Sequence, residues 1–179
     1  MTIEYQYDLV IVGGGPAGSS AAYAASKNGI KVALLEREET IAQSVRTSGV
    51  TWIQNIKEFG IPDDCYNPIK NYSFCSPNNE VTISDTIPQA AVLDVRKTYR
   101  WLAEQAKNEG TDIFLKTNIK DVIKNKEGDI VGVSGTSNQE EITFHSKVVI
   151  DASGFSSTVS KAMGFVTQWE RFEIGRAHV

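Results

Sequence analysis

The sequence predicts an α/β fold in which a Rossmann-like β-α-β unit of dinucleotide-binding type carries an inserted antiparallel β layer. The first 36 residues alternate a buried strand, a glycine-rich turn, a helix and a second buried strand, which is the order and length of a parallel crossover unit. Residues 61–93 instead contain four of the five prolines and short alternating apolar segments, which are typical of antiparallel strands.

The β-α-β unit opens with residues 7–12, an apolar run with β-branched side chains that indicates a strand buried on both faces. An alanine-rich helix is predicted over residues 19–28, and Gly29 supplies its C-terminal stop. Residues 30–35 predict a second buried strand, which Glu36 closes.

The region after the second strand is expected to leave this regular alternation. Residues 37–49 are polar and predict an irregular segment. Residues 51–59 predict a helix with Ile53, Ile56 and Phe59 on its inner side. The inserted antiparallel strands follow this helix.

The second half of the chain is predicted to return to the first fold through a helix and a meander. Asp94 is a candidate N-cap for a helix that runs to Glu109. Three short strands over residues 119–144 are separated by turns at residues 127–129 and 136–138. This spacing predicts an antiparallel meander, and a last buried strand follows it.

The motif Gly13-x-Gly15-x-x-Gly18 follows a buried strand and opens a helix, and Glu36 lies 18 residues beyond its last glycine. These are the contexts that a dinucleotide-binding fingerprint requires. Gly13 permits the tight turn, Gly15 lets the backbone approach a pyrophosphate, and Gly18 lets helix and strand pack closely.

A pyrophosphate at this turn would meet free N–H groups and the positive end of the helix dipole. Glu36 can accept hydrogen bonds from a ribose diol. The candidate cofactor-binding residues of the turn and strand end are Gly13, Gly15, Pro16, Ala17, Gly18 and Glu36. The alternative is a glycine turn with a solvated Glu36.

The identity of the dinucleotide follows from what surrounds the motif. An NAD or NADP domain is the alternative, although such a domain would be expected to continue with regular β-α alternation, which residues 61–93 do not show. Residues 10–18 with Glu36-Arg37 resemble the N-terminal FAD motif of the glutathione-reductase-type flavoproteins. The strand that ends in Asp151-Ala152-Ser153-Gly154 after a meander fits the same type.

The resemblance implies a Rossmann-like FAD-binding domain of glutathione-reductase type, with FAD as cofactor. It adds Arg37, Arg46 and Gly154 to the candidate cofactor-binding residues. Relatives place a basic residue such as Arg46 near the pyrophosphate, where a guanidinium can form paired hydrogen bonds. The alternatives are an exposed surface arginine at position 46 and a plain helix-entry turn at residues 153–154.

Within these flavoproteins the chain resembles the geranylgeranyl reductase family, a branch near the aromatic hydroxylases of p-hydroxybenzoate type. The similarity implies an FAD-dependent oxidoreductase that reduces prenyl or isoprenoid lipids, with NAD(P)H as a candidate electron donor. Tyr72, Phe74 and Ile83 are candidates to face an apolar substrate. A flavin monooxygenase is the alternative enzyme, and a non-catalytic dinucleotide-binding module is the alternative of another class.

The composition and the net charge bear on the partners, metal sites and cellular location that we expect. A net charge of −4 without a basic surplus argues against a nucleic-acid partner. We expect no metal site, and no catalytic side chain can be named, because a flavin would carry the chemistry. Cys65 and Cys75 suggest reduced thiols in the cytoplasm. We also expect no membrane-spanning segment, although a peripheral contact with a membrane is compatible with the sequence.

The last seven residues, 173–179, match one translated frame of a widely used sequencing adapter, which predicts a non-native tail. A natural tail of the same sequence is the alternative. On the first interpretation residues 1–172 form an FAD-binding domain that is incomplete at its C-terminus. We expect this part alone to be inactive as an enzyme.

Overall fold

The computed structural model describes residues 3–165. Two compact units divide them. The large unit consists of residues 3–43 and 99–165, and the small unit consists of residues 44–98.

The strands, in chain order, are β1 Ile3–Gln6, β2 Leu9–Val12, β3 Val32–Leu35, β4 Val50–Trp52, β5 Tyr66–Ile69, β6 Asn71–Ser76, β7 Asn79–Ser84, β8 Ala90–Leu93, β9 Asp112–Phe114, β10 Thr117–Lys124, β11 Ile130–Ser137, β12 Glu140–His145 and β13 Val148–Asp151. The helices are α1 Pro16–Lys27, α2 Ile53–Glu58, α3 Val95–Asn108 and α4 Thr158–Ala162, and short 3-10 turns lie at Asp63–Cys65 and Gly154–Ser156.

A four-stranded parallel sheet forms the centre of the large unit, in the order β13-β2-β3-β9. Strands β2 and β3 are buried at every position, as their continuous apolar sequences predict. The chain passes from β2 to β3 and β9 on one side of the sheet, then returns to place β13 on the other side of β2. The direction of winding therefore reverses between β2 and β13.

The two faces of this parallel sheet bury different partners. On one face Leu9 and Ile11 of β2 join Ala22 of α1 and Ala106 of α3 in one apolar cluster. On the other face the alternate residues of β2 join a second cluster with the meander strands, which includes Phe144. The alternation of side chains along a strand thus makes β2 the middle of three layers.

The meander forms a second sheet in the order β1-β12-β11-β10. Strand β1 was not predicted, because its short sequence has no turn signal around it. Its backbone groups pair in parallel with β12, with Ile3 opposite Ile142. Tyr5 and Tyr7 then reach the aromatic rings of Phe114 and Phe144.

Helix α1 and strand β11 begin or end at residues other than those predicted, because the local turns set their ends. Helix α1 begins at Pro16 instead of residue 19, because a proline is favourable at the first helical position. Strand β11 continues to Ser137, and the turn lies at Asn138 and Gln139, which both have positive φ values. Such a two-residue turn matches the twist of paired strands.

The small unit contains a three-stranded sheet, β4-β8-β5, and a separate hairpin of β6 and β7. The antiparallel layer begins earlier than the predicted residue 61, because β4 pairs with β8. Helix α2 is correspondingly shorter than predicted. Ile56 is buried on its inner side, but Phe59 is 70% exposed, so the prediction of an inner position for Phe59 is wrong.

Helix α3 begins as predicted. The Asp94 carboxylate accepts a hydrogen bond from the Lys97 backbone N–H at 3.0 Å, so Asp94 caps the helix. Helix α3 ends at Asn108, and Gly110 follows with φ of 100°. None of the helices in residues 3–165 is long and apolar enough to span a bilayer.

Candidate functional site

The candidate site lies at the carboxyl ends of β2, β3 and β13, which are neighbours in the parallel sheet. Ligands of open α/β sheets bind at this edge, at the point where the winding direction reverses. That point lies between β2 and β13. The glycine-rich turn follows β2, Glu36 follows β3, and residues 152–157 follow β13.

The turn after β2 needs two of its glycines for backbone packing. Gly13 has φ of 111°, and a Cβ at this position would overlap the carbonyl group of Ala152. A Cβ on Gly18 would overlap the carbonyl oxygen of Gly13. The close packing of helix on strand predicted for Gly18 is therefore confirmed.

Gly15 has a different surrounding. It is the N-cap of α1, and no atom lies within 4 Å of the position that its Cβ would take. The first turn of α1 has no side-chain cap and no acidic residue, and Pro16 and Ala17 are exposed there. The backbone N–H groups of an uncapped first turn attract an anion, so the open space beside Gly15 suits a phosphate group.

Glu36 is half-buried at the end of β3. One carboxylate oxygen accepts a hydrogen bond from the Gly14 N–H and the other accepts one from the Glu38 N–H, both at 2.9 Å. Each oxygen keeps lone pairs for further donors, such as a ribose diol. A Cβ on Gly14 would lie 2.5 Å from the terminal Cδ1 of Ile41 and 3.0 Å from a Glu36 carboxylate oxygen, so Gly14 packs closely against both side chains.

The turn after β13 lies against the glycine-rich turn. Ala152 and Ser153 contribute the backbone atoms that fill the space beside Gly13. Gly154 follows with φ of 61°, in the left-handed region that favours glycine. The Arg37 guanidinium donates a hydrogen bond to the Ser156 hydroxyl at 3.3 Å, which brings a cation to this side of the site.

Asp151 organises this turn. Its carboxylate accepts hydrogen bonds from the backbone N–H and the hydroxyl of both Ser153 and Ser160. Burial raises the pKa of Asp151, but these hydrogen bonds outweigh it and hold the pKa below its usual range. The sequence places Asp151 at the end of the last predicted strand but does not by itself assign it a role. The signal was a serine two residues after an aspartate, which is typical of a local Asx turn.

The structure therefore brings eight of the nine candidate residues together in the large unit. They are Gly13, Gly15, Pro16, Ala17, Gly18, Glu36, Arg37 and Gly154. Arg46 lies in the small unit and is exposed. Tyr72, Phe74 and Ile83 also belong to the small unit, on the β6–β7 hairpin. Within residues 3–165 no group of three or more His, Cys, Asp or Glu side chains is placed to hold a metal ion.

These residues fit an FAD molecule in three respects. The uncapped start of α1 offers donors to a pyrophosphate, and Gly15 leaves room for its approach. Glu36 offers oriented carboxylate oxygens to a ribose. Arg37 adds a positive charge near the turn after β13.

Known proteins share both the sequence and the fold. The chain is 34% identical over 176 residues to a digeranylgeranylglycerophospholipid reductase of Methanococcus vannielii. The alignment covers 96% of this chain and 44% of that relative. It therefore spans less than half the length of this curated relative.

Solved structures show the same similarity. A geranylgeranyl bacteriochlorophyll reductase-like protein from Thermoplasma acidophilum superimposes with a TM-score of 0.81 at 28% identity, over 90% of this chain and 42% of that one. The flavin-dependent brominase Bmp2 superimposes with a TM-score of 0.70 at 26% identity, over 88% of this chain and 40% of that one.

The sequence pattern of a whole family also matches. The model of the FAD dependent oxidoreductase family aligns with residues 8–171, which include every strand and helix of the structure except β1. With this match and the site geometry described above, the chain belongs to the FAD dependent oxidoreductase family.

Proposed function

We propose that this chain forms the FAD-binding part of a prenyl-lipid reductase. The observation that carries the proposal is the 34% identity to a digeranylgeranylglycerophospholipid reductase over nearly the whole chain. The reductase-like structure from Thermoplasma acidophilum supports it at the level of the fold. When bound and reduced by an electron donor, the flavin would supply a hydride that, together with a proton, saturates a carbon–carbon double bond.

The cofactor is proposed to lie along the carboxyl edge of the parallel sheet, in a domain of glutathione-reductase type. Its pyrophosphate would meet the start of α1 between Gly15 and Gly18, and its ribose would meet Glu36. Gly154 would flank it from the turn after β13, and Arg37 would do so from the segment after β3. Arg46 is also proposed as a phosphate contact of the FAD, as the resemblance implies.

The substrate proposed is a small lipid with isoprenoid chains. In the β6–β7 hairpin Tyr72 pairs with Ile83 and Phe74 pairs with Val81, so these four side chains share one face. Phe74 is 63% exposed on this face. An exposed apolar face suits contact with a hydrocarbon chain. NAD(P)H is the proposed electron donor, and the proposed location is the cytoplasm, with peripheral access to membrane lipid.

Gly15→Ala tests the cofactor site without disturbing the fold. The added methyl group enters open space in the structure but occupies the approach path of the pyrophosphate. We expect the variant to bind FAD at least about tenfold more weakly, a loss on the scale of 1.4 kcal/mol. Flavin fluorescence and absorbance, titrated with the purified 179-residue chain, measure the affinity.

Ser20→Ala is the matched control, since Ser20 is exposed on the same helix away from its first turn. This control should bind FAD as the parent does, and all three proteins should unfold at similar temperatures without FAD. A parent chain that binds no FAD at any concentration tested would contradict the proposed cofactor role.

A flavin monooxygenase or halogenase is the second candidate, which the similarity to the brominase Bmp2 favours. The two enzyme functions differ in their use of oxygen. The proposed reductase saturates a geranylgeranyl lipid under anaerobic conditions with a reduced donor. A monooxygenase requires oxygen and consumes it in the presence of substrate. A longer form of the protein that binds FAD but shows neither activity would favour the non-catalytic binding module.

A further inference from the structure

We infer that Asp151 is a positioning residue for the cofactor site. It holds residues 152–157 in place against the glycine-rich turn. The inference rests on the proposed binding of FAD. Asp151 is the last residue of β13 and is paired with Val12, the last residue of β2. Its carboxylate therefore sits at the switch point of the sheet, where a dinucleotide would lie.

Among residues 3–165, the hydrogen-bond donors to this carboxylate all come from the segment that follows it. One oxygen accepts from the Ser153 N–H at 3.1 Å and from the Ser153 hydroxyl at 2.5 Å. The other accepts from the Ser160 N–H and the Ser160 hydroxyl, both at 2.8 Å. Four hydrogen bonds from two residues hold both ends of the turn to a single side chain.

A fifth hydrogen bond extends this arrangement. The Ser153 hydroxyl, which donates to Asp151, also accepts from the Thr158 N–H at 2.7 Å. Between these anchors Ser157 has φ of 45°, a conformation that costs energy for a residue with a side chain. Such a turn persists when its surroundings hold it, and Asp151 with Ser153 supplies this restraint.

The restrained turn contacts two parts of the candidate site. Its start, Ala152, fills the space that a side chain at Gly13 would need. Its middle, Ser156, accepts the hydrogen bond of Arg37 at 3.3 Å. Release of the turn would therefore loosen the packing behind the glycine-rich loop and leave Arg37 without this partner. Because Asp151 already accepts four hydrogen bonds, its role is to place its neighbours and not to react.

Asp151→Asn is a sharp test, because no orientation of the amide can replace the carboxylate. Each carboxylate oxygen accepts from one backbone N–H, so the amide NH₂ would face an N–H donor on whichever side it lies. We expect FAD affinity to fall at least about tenfold. Amide hydrogen exchange should accelerate at Thr158 and Ser160 and stay unchanged in β2 and β3.

Two variants separate the inference from a general loss of stability. Asp129→Asn makes the same chemical change in an exposed turn of the large unit. It should leave FAD affinity and the amide hydrogen exchange of Thr158 and Ser160 unchanged. Ser160→Ala keeps the Ser160 N–H bond to Asp151 and removes only the hydroxyl bond, so its effect should be smaller than that of Asp151→Asn.

The outcomes distinguish this inference from the proposed function. If the parent binds FAD and Asp151→Asn binds it equally well, the positioning role is wrong and the cofactor site stands. If exchange accelerates throughout the large unit, Asp151 is a general stability residue and the inference is wrong. If the parent binds no FAD, the proposed function and this inference both fail, whatever the exchange shows.

Discussion

The two units of the molecule bury their apolar residues to very different extents. In the large unit the sheet strands β2 and β3 are fully buried, and Phe144 has no solvent exposure. In the small unit Trp52 is 53% exposed and Phe74 63% exposed. The two buried apolar clusters of the described residues therefore both lie in the large unit, although that unit also exposes apolar side chains such as Phe155.

This difference explains why the site residues cluster as they do. Backbone turns can be held to a fraction of an ångström only on elements that are themselves packed, and the parallel sheet offers such elements. The hairpin of β6 and β7 is a two-stranded sheet, a type that has little stability by itself. The packed sheet of the large unit can hold the turns of the candidate site in place, and the exposed face of the hairpin is the surface proposed above to contact a hydrocarbon chain.

The largest expected effect that tests this comparison is on stability. Phe144→Ala should lower the free energy of unfolding by about 3–5 kcal/mol, because it empties a fully buried aromatic position. Phe74→Ala should change it by no more than about 0.5 kcal/mol, because the ring is mostly exposed. Urea unfolding followed by circular dichroism measures both. Equal losses for the two variants would show that the small unit is packed as tightly as the large one.

A smaller effect is expected at the glycine-rich turn. Gly18→Ala should destabilise the large unit by about 1–3 kcal/mol, because its methyl group would overlap the Gly13 carbonyl oxygen. Gly15→Ala lies three residues away and should cost less, no more than about 1 kcal/mol, since its methyl group meets no atom within 4 Å and only the preference for glycine over alanine at the N-cap is lost. Thermal unfolding of the two variants without FAD provides the measurement. A stable Gly18→Ala protein would contradict the close approach of α1 to β2.

The smallest expected effect concerns acid titration and salt. In the small unit a hydrogen bond from Lys97 lowers the pKa of the exposed Asp64, and in the large unit four hydrogen bonds overcome burial to lower the pKa of Asp151. A lowered pKa in the folded state means that each carboxylate stabilises the fold above its unfolded pKa of about 3.9. That contribution disappears as the pH falls through the lower, folded value.

High salt should affect the pKa values of these two carboxylates differently. Ionic strength of about 1 M screens exposed charges, so the pKa of Asp64 should rise toward its usual value. The pKa of Asp151 should stay low, because it depends on hydrogen bonds from serine and backbone groups in a half-buried turn. Carboxyl-carbon NMR titrations at low and high salt measure both groups. A shift of equal size at Asp151 would show that exposed charges, and not the turn, set its pKa.

Most residues of the candidate site could be picked out from the sequence, because local patterns place them at the ends of neighbouring strands. The glycine spacing, the acidic residue after the second strand and the Asp-Ala-Ser-Gly segment all follow strands whose apolar sequences are continuous. Parallel pairing then brings the carboxyl ends of these strands to one edge. The close approach of Ile41 to Gly14 and the hydrogen bond from Ser160 to Asp151 join residues that no spacing rule brings together.

The fold was less predictable where long-range pairing decides. Strand β1 has only four residues, and it exists because β12 offers an edge for parallel pairing more than 130 residues later. Residues 51 and 52 fit a helix by local pattern, but β8 provides the backbone partners that make residues 50–52 a strand. Phe59 has the spacing of an inner helical residue, and the helix ends before it.

The sequence by itself determined the β-α-β unit, the position of the dinucleotide motif and the family to which the chain is similar. These depend on residues close together in the chain, where backbone preference and apolar period act directly. Only the tertiary structure decided that Gly13 and Gly18 are held by Ala152 and by each other, and that the turn after β13 is tied to Asp151. The physical reason is that close packing and buried hydrogen bonds join groups far apart in sequence, which become neighbours only when the sheet has formed.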